Sequence, residues 1–570
     1  MTDSAPKERY DVAILGGGLA GLSLGLQLKQ ARPETSIFIA EKRKGPAPLA
    51  AFKVGESTVE ISANYFGEVL GLRDHLESDQ LHKAGLRYFF PAGDNSDITK
   101  RVEWGATALP PHPSFQLDRG LFENELARRN LAAGNELFDD CTVGEVDLRD
   151  DEDHTVHFSR DGASGSVAAR WVVDASGYAG ILKKKLGLKK DVEHAINSAW
   201  FRLAGGVDID EWSDDKAWLE RMEEPGIRKL STSHLMGEGY WVWLIPLSSG
   251  PHSIGIVADP RFHPFEEMNT LDAAIEWLKQ HERQLGEEVE RRRDQVEDFL
   301  KVEDFAYSCT RVFSPDRWAL TGVSGVFADP FYSPGSDFIA QGNTFITELV
   351  MRDLGGDEIH KSAAAFNANF LSAFETLLGG VYTNHYKEFG NAEVMCAKIV
   401  WEFAVYWANA ALPFFYRKMT DLDFAAAVRA DQRRMLAISA PLEQVFRDWH
   451  ELSNREFRDV FISNRTYPDL YQLHLDLGAG YDEETVKSKY PQNADLLEAV
   501  AIVMFAQAVE ALPGESLGPD VKIDATKISL HPDRWEKDGL FNNKGLTLAE
   551  ARGKTEGLEK MLLAEVAQPV

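Results

Sequence analysis

Cysteine is scarce in this chain. Three in 570 residues, Cys141, Cys309 and Cys396, are too few and too scattered for a disulfide framework or a thiolate metal centre. CxxC and HExxH are both missing, so no metal is expected. Basic charge is also short. Lys and Arg number 61 against 90 Asp and Glu, a formal net charge of −29. A field of that sign repels phosphate backbones and anionic lipid, which excludes nucleic acid as an expected partner. A long apolar span is lacking as well. The uncharged, aromatic-rich stretch from Phe403 to Tyr416 covers 14 residues, is interrupted by Pro413 and is bounded by Lys398, Glu402 and Arg417. A transmembrane helix needs about 20 residues, so this stretch reads as a buried helix or a pocket wall. The opening MTDSAPKERYDVAIL has no apolar signal region, and the expected setting is reducing and cytoplasmic.

What is present reads as a globular protein of more than one unit, with 44% hydrophobic and 26% charged residues. Tyr10 to Leu15 is a short apolar strand. Gly16-Gly17-Gly18-Leu19-Ala20-Gly21 follows as G-x-G-x-x-G, then an amphipathic helix and a second strand from Ser36 to Ala40 that ends at Glu41. Glycines at these places permit a tight turn and let the backbone approach a pyrophosphate at the helix N-terminus. Glu41 lies 20 residues beyond Gly21, where a carboxylate accepts from ribose hydroxyls. Strand, helix, strand and acid in this order predict an α/β, Rossmann-like nucleotide-binding unit. Its candidate contacts are Gly16, Gly18, Leu19, Ala20, Gly21, Glu41 and Lys42.

Further stretches favour FAD over NAD. Leu117-Asp118-Arg119 precedes a helical pattern and resembles the arginine-bearing element of flavoprotein monooxygenases, so Arg119 is a candidate cofactor contact. Arg170 to Gly177 reads as a strand ending in a small-residue turn, and its Asp174-Ala175-Ser176-Gly177 resembles the DASG element of that superfamily. Asp316 to Gly322 resembles the strand that sets a loop, including Val323, beside the flavin. A single GxGxxG implies that electrons come from a separate flavin reductase. The expected organisation is an FAD-binding domain over 1–195 and 311–350, a β-rich substrate-covering domain over 196–310, and a helical region over 351–570. Helical spacing is read at Phe366 to Leu378, Ala392 to Ala411 and Asp421 to Ser439. Lys183 to Lys185, with Lys189 and Lys190, reads as a solvated helix end.

Three motifs then resemble the flavin-dependent halogenases. Trp241-Val242-Trp243-Leu244-Ile245-Pro246 matches the family's WxWxIP signature. Phe327-Ala328-Asp329-Pro330-Phe331-Tyr332-Ser333-Pro334-Gly335 matches FxxPxxSxG. Lys53-Val54-Gly55-Glu56-Ser57-Thr58, with Lys83-Ala84-Gly85-Leu86-Arg87-Tyr88 downstream, resembles the GEAT-type loop and the segment bearing the catalytic lysine. The resemblance implies that reduced FAD, O2 and chloride or bromide yield hypohalous acid, which a tunnel carries to Lys83 for halogenation of an electron-rich substrate. It also implies that Trp241, Trp243, Ile245 and Pro246 line or gate that tunnel. Pro334 and Gly335 are implied to lie at the halide, and Ser57 and Ser336 at the cofactor. Two indoles spaced two apart on a strand share a face, as a wall requires.

Two departures stand out. Pro334 has no N–H where the family offers backbone donors to halide. Tyr332 stands where the branch acting on free tryptophan carries an acid. The resemblance is therefore closer to the branch that handles phenols, pyrroles or carrier-tethered substrates, since a phenol activates itself through its hydroxyl. Two other readings stay open, an FAD-dependent monooxygenase and a non-catalytic FAD-binding scaffold. The assembly is open too, a homodimer being one arrangement.

Overall fold

The computed structural model describes residues 1–2, 5–49, 55–453 and 455–563. Lys53 and Val54, which open the Gly55-Glu56-Ser57-Thr58 segment, lie outside them.

The strand Arg9–Leu15 is buried almost throughout and pairs in parallel with Ile37–Ala40 on one side and Ala163–Asp174 on the other. These form the centre of a seven-stranded sheet. Glu136–Phe138 flanks it at one edge, an antiparallel ribbon of His154–Arg160 and Cys141–Asp147 extends it at the other, and Trp318–Leu320 adds to Ala163–Asp174 in parallel. Central strands this apolar are what a parallel sheet covered on both faces demands. The helix Leu19–Ala31 lies between the first two strands in sequence and packs against the helices Arg119–Ala132 and Gly335–Gly355.

A second, eight-stranded sheet runs in the order Leu300–Val302, Asn197–Leu203, His252–Ala258, Tyr240–Pro246, Thr232–Gly237, Leu86–Phe90, Val102–Gly105 and Phe461–Ser463. It draws two strands from before residue 196 and one from beyond 350. The parallel pairing of Thr232–Gly237 with Leu86–Phe90 brings His234 opposite Tyr88. Alternation along Tyr240–Pro246 divides its side chains between two cores. Tyr240, Val242 and Leu244 face the helices Leu271–His281 and Arg283–Arg291, while Trp241, Trp243 and Ile245 face the nucleotide-binding unit and the C-terminal helices.

Beyond residue 350 the chain is mostly helical. The helix His360–Leu377 runs on into a π-helical turn, Leu378–Tyr382, and Ala392–Val405 into another, Tyr406–Ala411. Such wide turns re-aim side chains and concentrate at functional sites. Here they deliver Tyr382 and Tyr406 inward. Leu422–Leu452 and Glu483–Val509 pack against one another and against Ala392–Val405. Phe403 to Phe415 is helix and π-turn inside this core, as the sequence predicts. No helix among the described residues is long and apolar enough to cross a membrane.

Candidate active site

The glycine loop is closed so tightly that only glycine fits. A Cβ on Gly16 would stand 2.3 Å from the Ala175 carbonyl oxygen, and one on Gly21 would stand 2.0 Å from that of Gly16. Gly16 also takes φ +126°, which L side chains avoid. Gly18 caps the helix without a side-chain bond, so the N–H groups of Leu19, Ala20 and Gly21 point out of the helix end. Glu41 accepts from Gly17 N at 2.9 Å and from Arg43 N at 2.9 Å. Arg43, rather than the exposed Lys42, turns toward Glu41 and Glu123. This cradle fits a dinucleotide pyrophosphate, and Glu41 closes its edge.

Asp174 is fully buried and organises the following turn. Its carboxylate accepts from Ser176 N and Oγ at 2.9 and 2.6 Å and from Leu182 N at 2.7 Å. Gly177 N donates to Ser324 Oγ at 2.8 Å, which ties this turn to the one holding Val323. One expectation is corrected here. Lys183 is not a solvated lysine. It is buried, donates to Val323 O at 3.3 Å, and holds its ammonium 3.6 Å from the centre of the Tyr307 ring. Burial lowers its pKa to about 8. The short helix Ile181–Lys185 turns that face inward while Lys184 and Lys185 stay exposed.

Lys83 ends the strand Leu81–Lys83 and is 1% exposed. Its Nζ donates to Ser57 Oγ at 2.8 Å and to Thr58 O at 2.7 Å. Ser57 in turn meets Thr232 Oγ1 at 2.9 Å. Glu56 anchors the same loop to the second sheet through Arg202 at 2.7 Å, and Arg202 continues to Asp298 at 3.0 Å. Gly55 lies in the left-handed region, and Arg119 NH1 donates to its carbonyl at 3.3 Å. Burial pulls the Lys83 pKa down to about 7, against the opposing attraction of Glu60 and Asp337.

Asp337 lies in the first turn of Gly335–Gly355, accepting from Ser62 N at 2.9 Å and Tyr406 OH at 2.6 Å. Burial lifts it to about 7. Pro334 is the N-cap of that helix. The first-turn N–H groups of Gly335, Ser336 and Asp337 follow it, and no helical carbonyl precedes them. Tyr332 and Ser333 both take positive φ, +68° and +60°. Non-glycine residues held there cost of order 1 to 3 kcal/mol each and cluster at functional sites.

Trp241 and Trp243 stand side by side, ring centroids 5.8 Å apart, on one face of their strand. Trp241 Nε1 donates to Tyr386 OH at 3.0 Å, and Tyr386 donates to Asp329 at 2.5 Å. Trp243 Nε1 donates to Ser253 Oγ at 3.1 Å, and a Cβ on Gly255 would enter its ring at 2.1 Å. Phe331 and His234 close on Trp241 at 5.3 and 5.2 Å, so the indoles continue into the signature loop as one aromatic wall. Ile245 and Pro246 complete the buried strand end.

Sequence reasoning missed Glu60, Asp337 and Glu402. Glu60 sits near Lys83 and is 3.2 Å from His474 Nε2. Glu402 lies four residues after Lys398, and that spacing reads as an ordinary helical ion pair. The structure instead buries it beside Tyr332, with Lys398 Nζ at 2.7 Å.

Comparison with known proteins agrees with this geometry. An FAD binding domain is matched over residues 9–253. The flavin-dependent halogenase chlA of Dictyostelium discoideum is 27% identical over 443 residues, 72% of this chain and 71% of that protein. The 1H-pyrrole-2-carbonyl-[peptidyl-carrier protein] brominase of Pseudoalteromonas luteoviolacea is 26% identical, over 61% of this chain and 79% of the brominase. Among solved structures, halogenase PltM superposes with TM-score 0.60 at 17% identity, over 86% of this chain and 96% of PltM. That likeness speaks to fold. Glycine cradle, signature motifs, fold and relatives converge: the chain is an FAD-dependent oxidoreductase related to the flavin-dependent halogenases.

Proposed function

We propose that this chain halogenates an electron-rich aromatic substrate, and that Lys83 directs the halogen. When bound and reduced, FAD supplies the electrons and, with O2 and chloride or bromide, the means of making hypohalous acid. Gly16 to Gly21 hold its pyrophosphate and Glu41 its ribose, with Arg119 and the turns at Asp174 and Val323 alongside. Gly335 and Ser336 supply N–H donors to halide in place of the one that Pro334 lacks. The aromatic wall of Trp241 and Trp243 separates the flavin side from Lys83.

The observation that carries this reading is the Lys83 environment. Both of its hydrogen bonds go to neutral oxygens, Ser57 Oγ and Thr58 O, and its two acids stand further off. A neutral amine donates two protons and is satisfied by exactly two acceptors, leaving its lone pair free for a hypohalous acid. An amine near neutrality also handles protons efficiently at pH 7. In this reading a separate reductase supplies reducing equivalents in a cytoplasmic setting, the substrate is a free or carrier-tethered phenol or pyrrole, and a homodimer is one open arrangement.

A monooxygenase is the second reading, and Pro334 is the observation that favours it, because it removes a halide donor. Product mass decides between the two. With a flavin reductase and bromide, a reactive phenol gains bromine in the wild type and not in Lys83→Ala. Oxygen incorporation independent of halide selects the monooxygenase.

A further inference from the structure

Buried polar atoms in proteins are nearly always hydrogen-bonded. Around Phe403, five are not. Tyr88 OH, Tyr332 OH, Trp104 Nε1 and both oxygens of Glu402 have no partner in good hydrogen-bond alignment among the described residues, although Lys398 Nζ stands 2.7 Å from Glu402 and Tyr332 lies beside it. Trp407 Nε1, on a ring that also contacts Phe403, joins them. The ring contacts gather these residues into one cluster: Phe403 lies 5.4 Å from Trp104, 5.9 Å from Tyr332 and 5.3 Å from Trp407, and Tyr88 lies 5.8 Å from Trp104 and 6.3 Å from Tyr332. Lys83 is five residues from Tyr88, and the Lys83 charge reaches His234, which stacks on Tyr88 at 4.8 Å.

We propose that Glu402, flanked by Tyr88 and Tyr332, receives the hydroxyl or ring N–H of the aromatic substrate and accepts its proton during halogenation. This rests on the halogenase reading and assigns the base that the signature itself lacks. Tyr332 occupies the signature position at which free-tryptophan enzymes carry an acid, and the helix Ala392–Val405 sets a carboxylate next to it. Lys398 holds Glu402 at 2.7 Å and Glu443 at 2.5 Å, and Glu443 faces His385 at 3.5 Å. The groups that face Glu402 are therefore Lys398 on its own helix, Glu443 from Leu422–Leu452, Tyr332 from the signature loop, Tyr88 from the second sheet, and Tyr382 and Glu388 from the segment between helices. Burial raises Glu402 to about 7, against the pull of Lys398. A group poised there takes and returns a proton at neutral pH.

The step balances as follows. A ring carbon attacks the halogen of hypohalous acid, and a carbon–halogen bond forms as the halogen–oxygen bond breaks. The substrate is oxidised and the hypohalous acid is reduced. The substrate O–H or N–H proton passes to Glu402, so that no cation accumulates on the ring. The departing hydroxide takes the proton of the attacked carbon and becomes water. Glu402 then returns its proton to the substrate oxygen or nitrogen as aromaticity is restored.

The test uses FAD-loaded enzyme with phenol and with anisole, which lacks the O–H. Calorimetry is expected to show phenol bound roughly tenfold more tightly than anisole, the difference one hydrogen bond to a charged group makes. Glu402→Gln abolishes that preference, and Tyr332→Phe, a milder change that preserves packing, reduces it. In turnover with bromide, Glu402→Gln lowers kcat/KM for phenol roughly a hundredfold while anisole is affected little. Retention of the phenol preference in Glu402→Gln, or equal losses on both compounds, overturns the proposal. If wild-type enzyme binds phenol through Glu402 yet forms no halogenated product, the halogenase reading falls and the phenol site stands.

Discussion

Two lysines of this chain are equally buried, Lys83 at 1% and Lys398 at 0% exposure, and their pKa values move in opposite directions. Burial takes Lys83 down to about 7. Burial opposes the charge of Lys398 as well, but Glu402 and Glu443 outweigh it and lift the amine to about 12. The difference lies in contact partners. Lys83 touches a hydroxyl and a carbonyl, and its acids act from a distance. Lys398 bridges two carboxylates. Depth of burial alone therefore says little about the charge of a buried lysine, and contact with an anion decides it. The first environment leaves a near-neutral amine, the reactive group the proposed function calls for, and the second holds a carboxylate in place.

This contrast can be broken in several ways. Replacing Lys83 with Ala or Arg is expected to cost the largest factor, about a thousandfold in halogenation of a reactive phenol, measured as product per turnover of reduced flavin. Arg fails because it cannot become neutral.

Next comes stability. Lys398→Met leaves Glu402 and Glu443 buried without their cation and is expected to destabilise by about 3 to 5 kcal/mol in denaturant unfolding. Lys83→Met removes a buried amine that pairs with no carboxylate by contact, and is expected to raise Tm at pH 7. Opposite signs in the two melts sharpen the comparison, and equal signs break it.

Third is the pH profile. A lysine with a lowered pKa is neutral above about 7, so halogenation is expected to rise with pH through that value if the amine form acts. A falling limb would assign the work to the ammonium.

The smallest effect concerns the carboxylates. Burial raises Glu388 to about 8 and Asp337 to about 7. The folded state then binds more protons than the unfolded one between the ordinary carboxylate range and about pH 8. Stability from these groups is present at low pH and is lost as pH rises through that window. Tm is expected to fall from pH 5 to pH 8.5, and Glu388→Gln flattens the slope.

Much of the fold was legible because its signals are local. Gly16, Gly18, Gly21 and Glu41 lie within one βαβ unit, where a positive φ or a close backbone approach admits one residue type. Tyr240–Pro246 was legible to the residue, since both faces are buried and a Pro ends it. Lys83 was found through its motif and not through its own surroundings. Lys183 was misread because three consecutive lysines look solvated, whereas a helical turn buries one of them over Tyr307.

The amino-acid sequence by itself determined the dinucleotide cradle, the order of the elements and the flavoprotein signatures, because each depends on residues within a few turns of chain. Only the tertiary structure decided which charges meet. Glu60, Asp337 and Glu402 reach the neighbourhood of Lys83 and Tyr332 from three separate helices, and Lys398 finds Glu443 45 residues away. Electrostatic energy depends on distance and burial, neither of which sequence spacing encodes for residues this far apart. The carboxylate missing from the signature at Tyr332 is present in space, and only folding puts it there.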